Sequence, residues 1–117
     1  MTEQLSEAKQ RGIYGWFYPE LKGKNWTLWH GANLFAYDSK TGKGICLLVP
    51  LYMPEDGKEN WNFVRECVEK LEQEHVRVMY DTADHLWYFW FLDNKGAGAV
   101  IKNLGFWFAL SDLLEGE

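Results

Sequence analysis

His30, His75 and His85 are the three imidazoles of this 117-residue chain, and Cys46 and Cys67 are its two thiols. No two histidines have the short separation that puts a ligand pair on one helix face, and neither cysteine stands in a C-x-x-C arrangement. Asp81, Asp84 and His85 lie close together across a polar segment and have the donor types of a hard or borderline divalent site. Short aspartates also bond the local backbone of a turn. That turn chemistry explains them without an ion, so no metal is expected. His30, between Trp29 and Gly31, is the most site-like single residue, although a partly buried structural histidine explains it as well. Paired carboxylates for acid–base work must converge in a cleft, whereas the acids here fall on a helix surface or in turns. No nucleophile elbow, phosphate loop or dinucleotide fingerprint is present, and Gly42-Lys43-Gly44 lacks the phosphate-loop spacing. The expectation is a non-enzymatic protein with no cofactor.

The residues left to carry function are aromatic. Seven Trp, seven Phe and six Tyr make up 17% of the chain. Trp16, Tyr18, Trp26, Trp29 and Tyr37, with His30 among them, crowd a half that is rich in loops and has few regular elements to bury them. Exposed Trp and Tyr anchor protein interfaces, and they also stack on sugars or unpaired bases. The leading expectation is a protein–protein contact made by these six residues. The alternative is a small-ligand module that stacks a carbohydrate or nucleotide between Trp16 and Tyr37.

The elements that must position these residues have two textures. Residues 11–57 hold most of the glycines and all three prolines, with short apolar bursts between them. A short helix is predicted from Thr2 to Gln10, capped by Thr2 and stopped by Gly12, with Trp16-Phe17-Tyr18 as a separate apolar burst. Trp26–Trp29 reads as a short strand. Leu34–Tyr37 and Gly44–Val49 flank a polar, Gly-containing loop and read as a hairpin. The segment Pro50 to Pro54 should leave the sheet, because proline removes ladder donors.

Residues 58–117 are more periodic. The main helix is predicted over about 58–74, with Asp56 near its start and Trp61, Val64, Val68 and Leu71 as its buried stripe, Cys67 beside them. Val76–Tyr80 alternates like a half-buried strand, and Asp81–Asp84 is a turn. Leu86–Leu92 is almost wholly apolar, as a central strand covered on both faces would be. Asp93–Gly98 reads as a turn and Val100-Ile101 as a last short strand. Asn103 caps a final helix from Leu104 to about Leu114, with Phe106, Leu110, Leu113 and Leu114 inward and Trp107 at the boundary. The fold class is α+β: a small antiparallel sheet packed against two or three helices, in one domain over 1–117.

The charge is −5, from 17 acidic and 12 Lys or Arg residues. That balance argues against duplex binding, which needs clustered cations to displace counterions, and suits docking on a basic partner. No apolar run reaches the roughly 20 residues of a membrane span, and no signal peptide is apparent. Two free, buried thiols are the ordinary state of such cysteines, so a reducing, cytoplasmic compartment is expected.

The second half, with its helix stripe Trp61-x-x-Val64-x-x-x-Val68-x-x-Leu71, the strand Trp87-x-Phe89-x-Phe91, the Gly96–Ala99 stretch and the closing Leu104 to Leu110 helix, resembles small phage and prophage proteins of the phage ABA sandwich type. The resemblance implies an α-β-β-α order in a phage-encoded protein. In that setting the expected partner is a host protein, inhibited by the contact, with a homodimer also open. The family implies no catalytic residues.

Overall fold

The computed structural model describes residues 4–31, 33–93 and 96–115. The first helix, α1, runs Glu7–Phe17, and its start is capped by the Ser6 hydroxyl, which accepts from the Lys9 N–H. The predicted cap at Thr2 lies outside the described residues, and Gly12 does not stop the helix. A mid-helix glycine costs only about 1 kcal/mol. Complete burial of Ile13 and Tyr14 on the same helix outweighs that cost. Trp16 and Phe17 therefore form the last turn of α1 rather than a separate burst. Pro19 ends it by disfavouring helical backbone at Tyr18, and a 3-10 turn, Pro19–Leu21, follows.

Two antiparallel three-stranded sheets stand where one was expected. The first contains β1 (Trp26–His30), β2 (Leu34–Asp38) and β3 (Gly44–Leu47) in that order. Its β2–β3 turn is set by Asp38, whose carboxylate accepts from the Lys40 and Thr41 N–H groups at 2.8 and 3.0 Å. Those bonds, Thr41 first, hold the Asp38 carboxyl below its ordinary range, and Gly42 supplies the left-handed residue at φ 74°. The second sheet contains β4 (Val76–Asp81), β5 (Leu86–Asp93) and β6 (Gly96–Asn103). Here β6 begins at Gly96, inside the stretch read as a turn. Central β5 is buried on one face only, through Trp87 and Phe89. Tyr88 and Trp90 alternate onto a half-open face and stack at 5.8 Å.

The second helix, α2, runs Trp61–Gln73, beginning three residues later than its pattern suggested. Its buried residues are Phe63, Val64, Cys67 and Leu71. Trp61 lies about 100° round the helix from the centre of that stripe and is 57% exposed, while the unpredicted Phe63 is fully buried. The third helix, α3 (Phe106–Glu115), is buried through Phe106, Trp107, Ala109, Leu110 and Leu113. Trp107 is not at a boundary; it is wholly enclosed.

One contiguous core unites both sheets and all three helices, taking Trp26, Leu28 and Ala36 from the first sheet and Val76, Trp87 and Phe89 from the second. Against it runs the irregular segment 48–52, which buries Leu48 and Leu51. Buried irregular backbone must find partners outside a ladder, and side chains supply them. The Tyr14 hydroxyl donates to the Val49 carbonyl at 2.8 Å and the Tyr18 hydroxyl accepts from the Val49 N–H at 3.1 Å. Asn60 Nδ2 donates to the Pro50 carbonyl at 2.9 Å, and Trp107 Nε1 to the Leu51 carbonyl at 2.7 Å. The chain does leave the sheet here: Leu51 turns into the core while Pro50 and Pro54 stay exposed.

Candidate functional site

The six residues singled out in the sequence do not meet in one place. Trp16, half-buried, is clamped on the end of α2, its Nε1 donating to Glu74 at 3.1 Å while the Lys70 ammonium sits 5.2 Å over its ring. Lys70 and Glu74 are themselves paired at 3.3 Å. Tyr18 is spent on the Val49 backbone, and burial first, outweighing that bond, pushes its hydroxyl pKa up. Trp26 is 7% exposed, roofed by the Arg11 guanidinium at 5.0 Å, which also donates to the Trp26 carbonyl. These three aromatics stabilise the fold, and Trp26 is removed as a surface anchor. His30 is exposed at the end of β1.

Trp29 and Tyr37 do come together. Period-two alternation sends Trp26 and Leu28 to the core and Thr27 and Trp29 to the outer face of the first sheet. The register puts Trp29 opposite Phe35 and Thr27 opposite Tyr37, and Phe35 in turn opposite Leu47. Trp29 lies 6.3 Å from the Phe35 ring and 6.5 Å from Tyr37, edge-on to the latter. Trp29 and Leu47 are 49% and 69% exposed. These five paired positions carry no charge. The outer face of the second sheet differs: there Arg77 pairs with Trp90, and Met79 and Lys102 flank Tyr88. Cations fringe that face and solvate it. Phe35 and Leu47 were not singled out from the sequence; the signal for them was the hairpin register, which places them beside Trp29.

Asp81, Asp84 and His85 are arranged as a turn. The Asp81 carboxylate accepts from the Ala83 and Asp84 N–H groups at 2.8 and 3.3 Å, and His85 takes φ 57° with Nδ1 3.3 Å from the Tyr80 hydroxyl. Among the described residues no three His, Cys, Asp or Glu side chains converge as metal ligands. The cysteines are free, Cys67 buried and Cys46 half-buried, and burial raises both thiols above their usual range.

A second feature has no counterpart in the sequence reading. Glu59 sits just before α2 and reaches the start of α3, where its Oε2 accepts from the Phe106 N–H at 2.7 Å and the Trp107 N–H at 3.4 Å. A carboxylate there complements the positive end of the helix. Burial nonetheless pushes its carboxyl above the ordinary range, against the pull of those two bonds. Beside it lies an open cleft of about 500 Å³ whose walls include Trp61, Leu104 and Phe108. The distant carboxylate escapes sequence reading because 47 residues separate it from the helix it caps. Among the described residues no helix is long and apolar enough to cross a membrane. No protein-family model, curated protein or solved structure matches the chain.

Proposed function

We propose that this protein is a non-enzymatic interaction protein that binds another protein through the outer face of its first sheet. The observation that carries the reading is the uncharged face formed by Trp29, Phe35, Tyr37 and Leu47 across three neighbouring strands, with Trp29 and Leu47 left largely in water. An apolar patch on a sheet, centred on a Trp, has the composition of an interface hot spot. The overall charge of −5 favours a basic partner by long-range attraction. If the phage resemblance describes the source, the partner is a host protein and the contact inhibits it in the host cytoplasm.

Of the rings that the stacking alternative at Trp16 to Tyr37 invokes, Trp26 lies in the core, Trp16 in the α1–α2 contact, and Trp29 and Tyr37 side by side on the sheet face. The test is affinity capture from host lysate with the wild-type protein, Trp29→Ala, Leu47→Asp and, as control on the second sheet, the exposed Met79→Ala. A stoichiometric partner retained by wild type and Met79→Ala but lost by the two sheet variants is the expected result. Equal recovery by all four proteins, or no stoichiometric partner, overturns the reading. Trp29→Ala loses its ring contacts with Phe35 and Tyr37 and should cost about 1 kcal/mol of stability, too little to unfold the protein, so loss of capture by the folded variant reports the contact itself.

A further inference from the structure

The cleft beside Glu59 lies apart from the sheet face, and its lining has a chemistry of its own. Trp61 and Leu104 are 57% and 71% exposed, so two large apolar side chains stand open to water at its walls, with Tyr52 and Phe108 beside them. Trp61 is braced from behind by Trp87, ring centroids 5.8 Å apart. The start of α3, ordinarily an anion-seeking position, is already filled by Glu59 Oε2. Among the described residues the other oxygen of that carboxylate accepts no hydrogen bond. The cleft therefore has both a fixed carboxylate and an exposed indole in its lining.

We propose that this cleft binds a flat organic cation of the guanidinium class on an apolar stem, the cation meeting Glu59 and Trp61 and the stem lying along Leu104 and Phe108. A guanidinium presents a planar fork of N–H donors that matches a carboxylate and is attracted to the face of a Trp. The same pairing already occurs inside the molecule, where Arg11 covers the Trp26 ring. Burial of Glu59 leaves its negative charge under-compensated, and a bound cation supplies what is missing. The competing charge is Lys58, which also lines the cleft. It is exposed, and its long stem lets the ammonium swing out to water, whereas Glu59 is pinned by two backbone bonds.

The experiment is a titration of the full chain followed by calorimetry and by the Trp61 indole N–H signal in NMR. The probes are N-acetylarginine amide, its uncharged isostere N-acetylcitrulline amide, and an arginine tripeptide. Binding of the arginine amide with a Kd of about 1 mM is expected for a ligand of this size, with the citrulline compound at least about tenfold weaker. Glu59→Gln should weaken binding about tenfold and Trp61→Leu about threefold. Lys58→Ala should tighten it about twofold. Trp61 is exposed, so Trp61→Leu keeps the test valid even if Glu59→Gln weakens the fold. Either arginine probe binding in this pattern supports the proposal. Comparable affinities assign the site to a free small molecule, and a much tighter tripeptide assigns it to a cationic side chain of a partner. Equal binding of the citrulline compound, no movement of the Trp61 signal up to the solubility limit, or weaker binding by Lys58→Ala overturns it. Trp29→Ala should leave every one of these values unchanged, which separates this site from the sheet face.

Discussion

Glu59 shows how one residue can serve structure and carry an electrostatic penalty together. Its carboxylate satisfies two N–H groups at the start of α3, yet its burial favours the protonated form. A carboxyl whose pKa is higher in the folded than in the unfolded state binds more protons when folded, so stability falls as pH rises through the window between the two values. That window opens at the ordinary value of 4.5 and extends upward to the raised folded value. Glu59→Gln keeps an acceptor but removes this titration. Urea unfolding at pH 4 and pH 7 should therefore show Glu59→Gln gaining stability relative to wild type at the higher pH. Glu59→Ala removes the acceptor as well and should lose about 1–2 kcal/mol at both. A wild-type difference that grows in its own favour with pH contradicts the assignment.

At the scale of elements, glycine and periodicity explain both what could be read in advance and what could not. Gly12 lies within α1 on an exposed surface, and a Cβ there meets nothing within 4 Å. Gly12→Ala should accordingly raise stability by about 0.5–1 kcal/mol, measured as a shift in the unfolding midpoint. In α2 the stripe decides. Phe63→Ala should cost about 3–5 kcal/mol, and Trp61→Ala less than about 1 kcal/mol, because the first ring is enclosed and the second is mostly in water.

The α+β class, strand β1, the β2–β3 hairpin, the main helix, β4 and most of β5 were legible because each follows from local periodicity and turn chemistry. The extent of α1 was not, since a glycine's local cost is outweighed only by burial of Ile13 and Tyr14 against distant elements. The division into two sheets was hidden for a similar reason: strand patterns do not state which strands pair beyond a hairpin. Half of the candidate site was legible. Trp29 and Tyr37 meet where alternation sends them, while Tyr18 is consumed by the Val49 backbone and Trp26 by the core under Arg11.

The whole molecule is a slab of 45 × 36 × 20 Å with a radius of gyration of 15.1 Å, against about 13.4 Å for a typical globule of this length. Its accessible surface is 7793 Å², where about 6,600 Å² is usual for this mass. Both sheets nevertheless lean on one continuous core. Unfolding followed by tryptophan emission and by far-ultraviolet dichroism should give coincident transitions. Phe63→Ala should shift both by the same amount, and two separated transitions would mean that the sheets unfold independently.

The reach of α3 into segment 48–52 also bears on how the chain matures. Phe106, Trp107, Leu110 and Leu113 are among the most enclosed side chains in the protein, and they follow all six strands in sequence. During synthesis the strands and the first two helices emerge with a gap where these residues belong, and the Leu51 carbonyl waits for its bond from Trp107. A nascent chain stalled before residue 106 thus leaves Phe63, Trp87 and Phe89 without the α3 rings they pack on, open to proteases and chaperones, and docking of α3 closes the core.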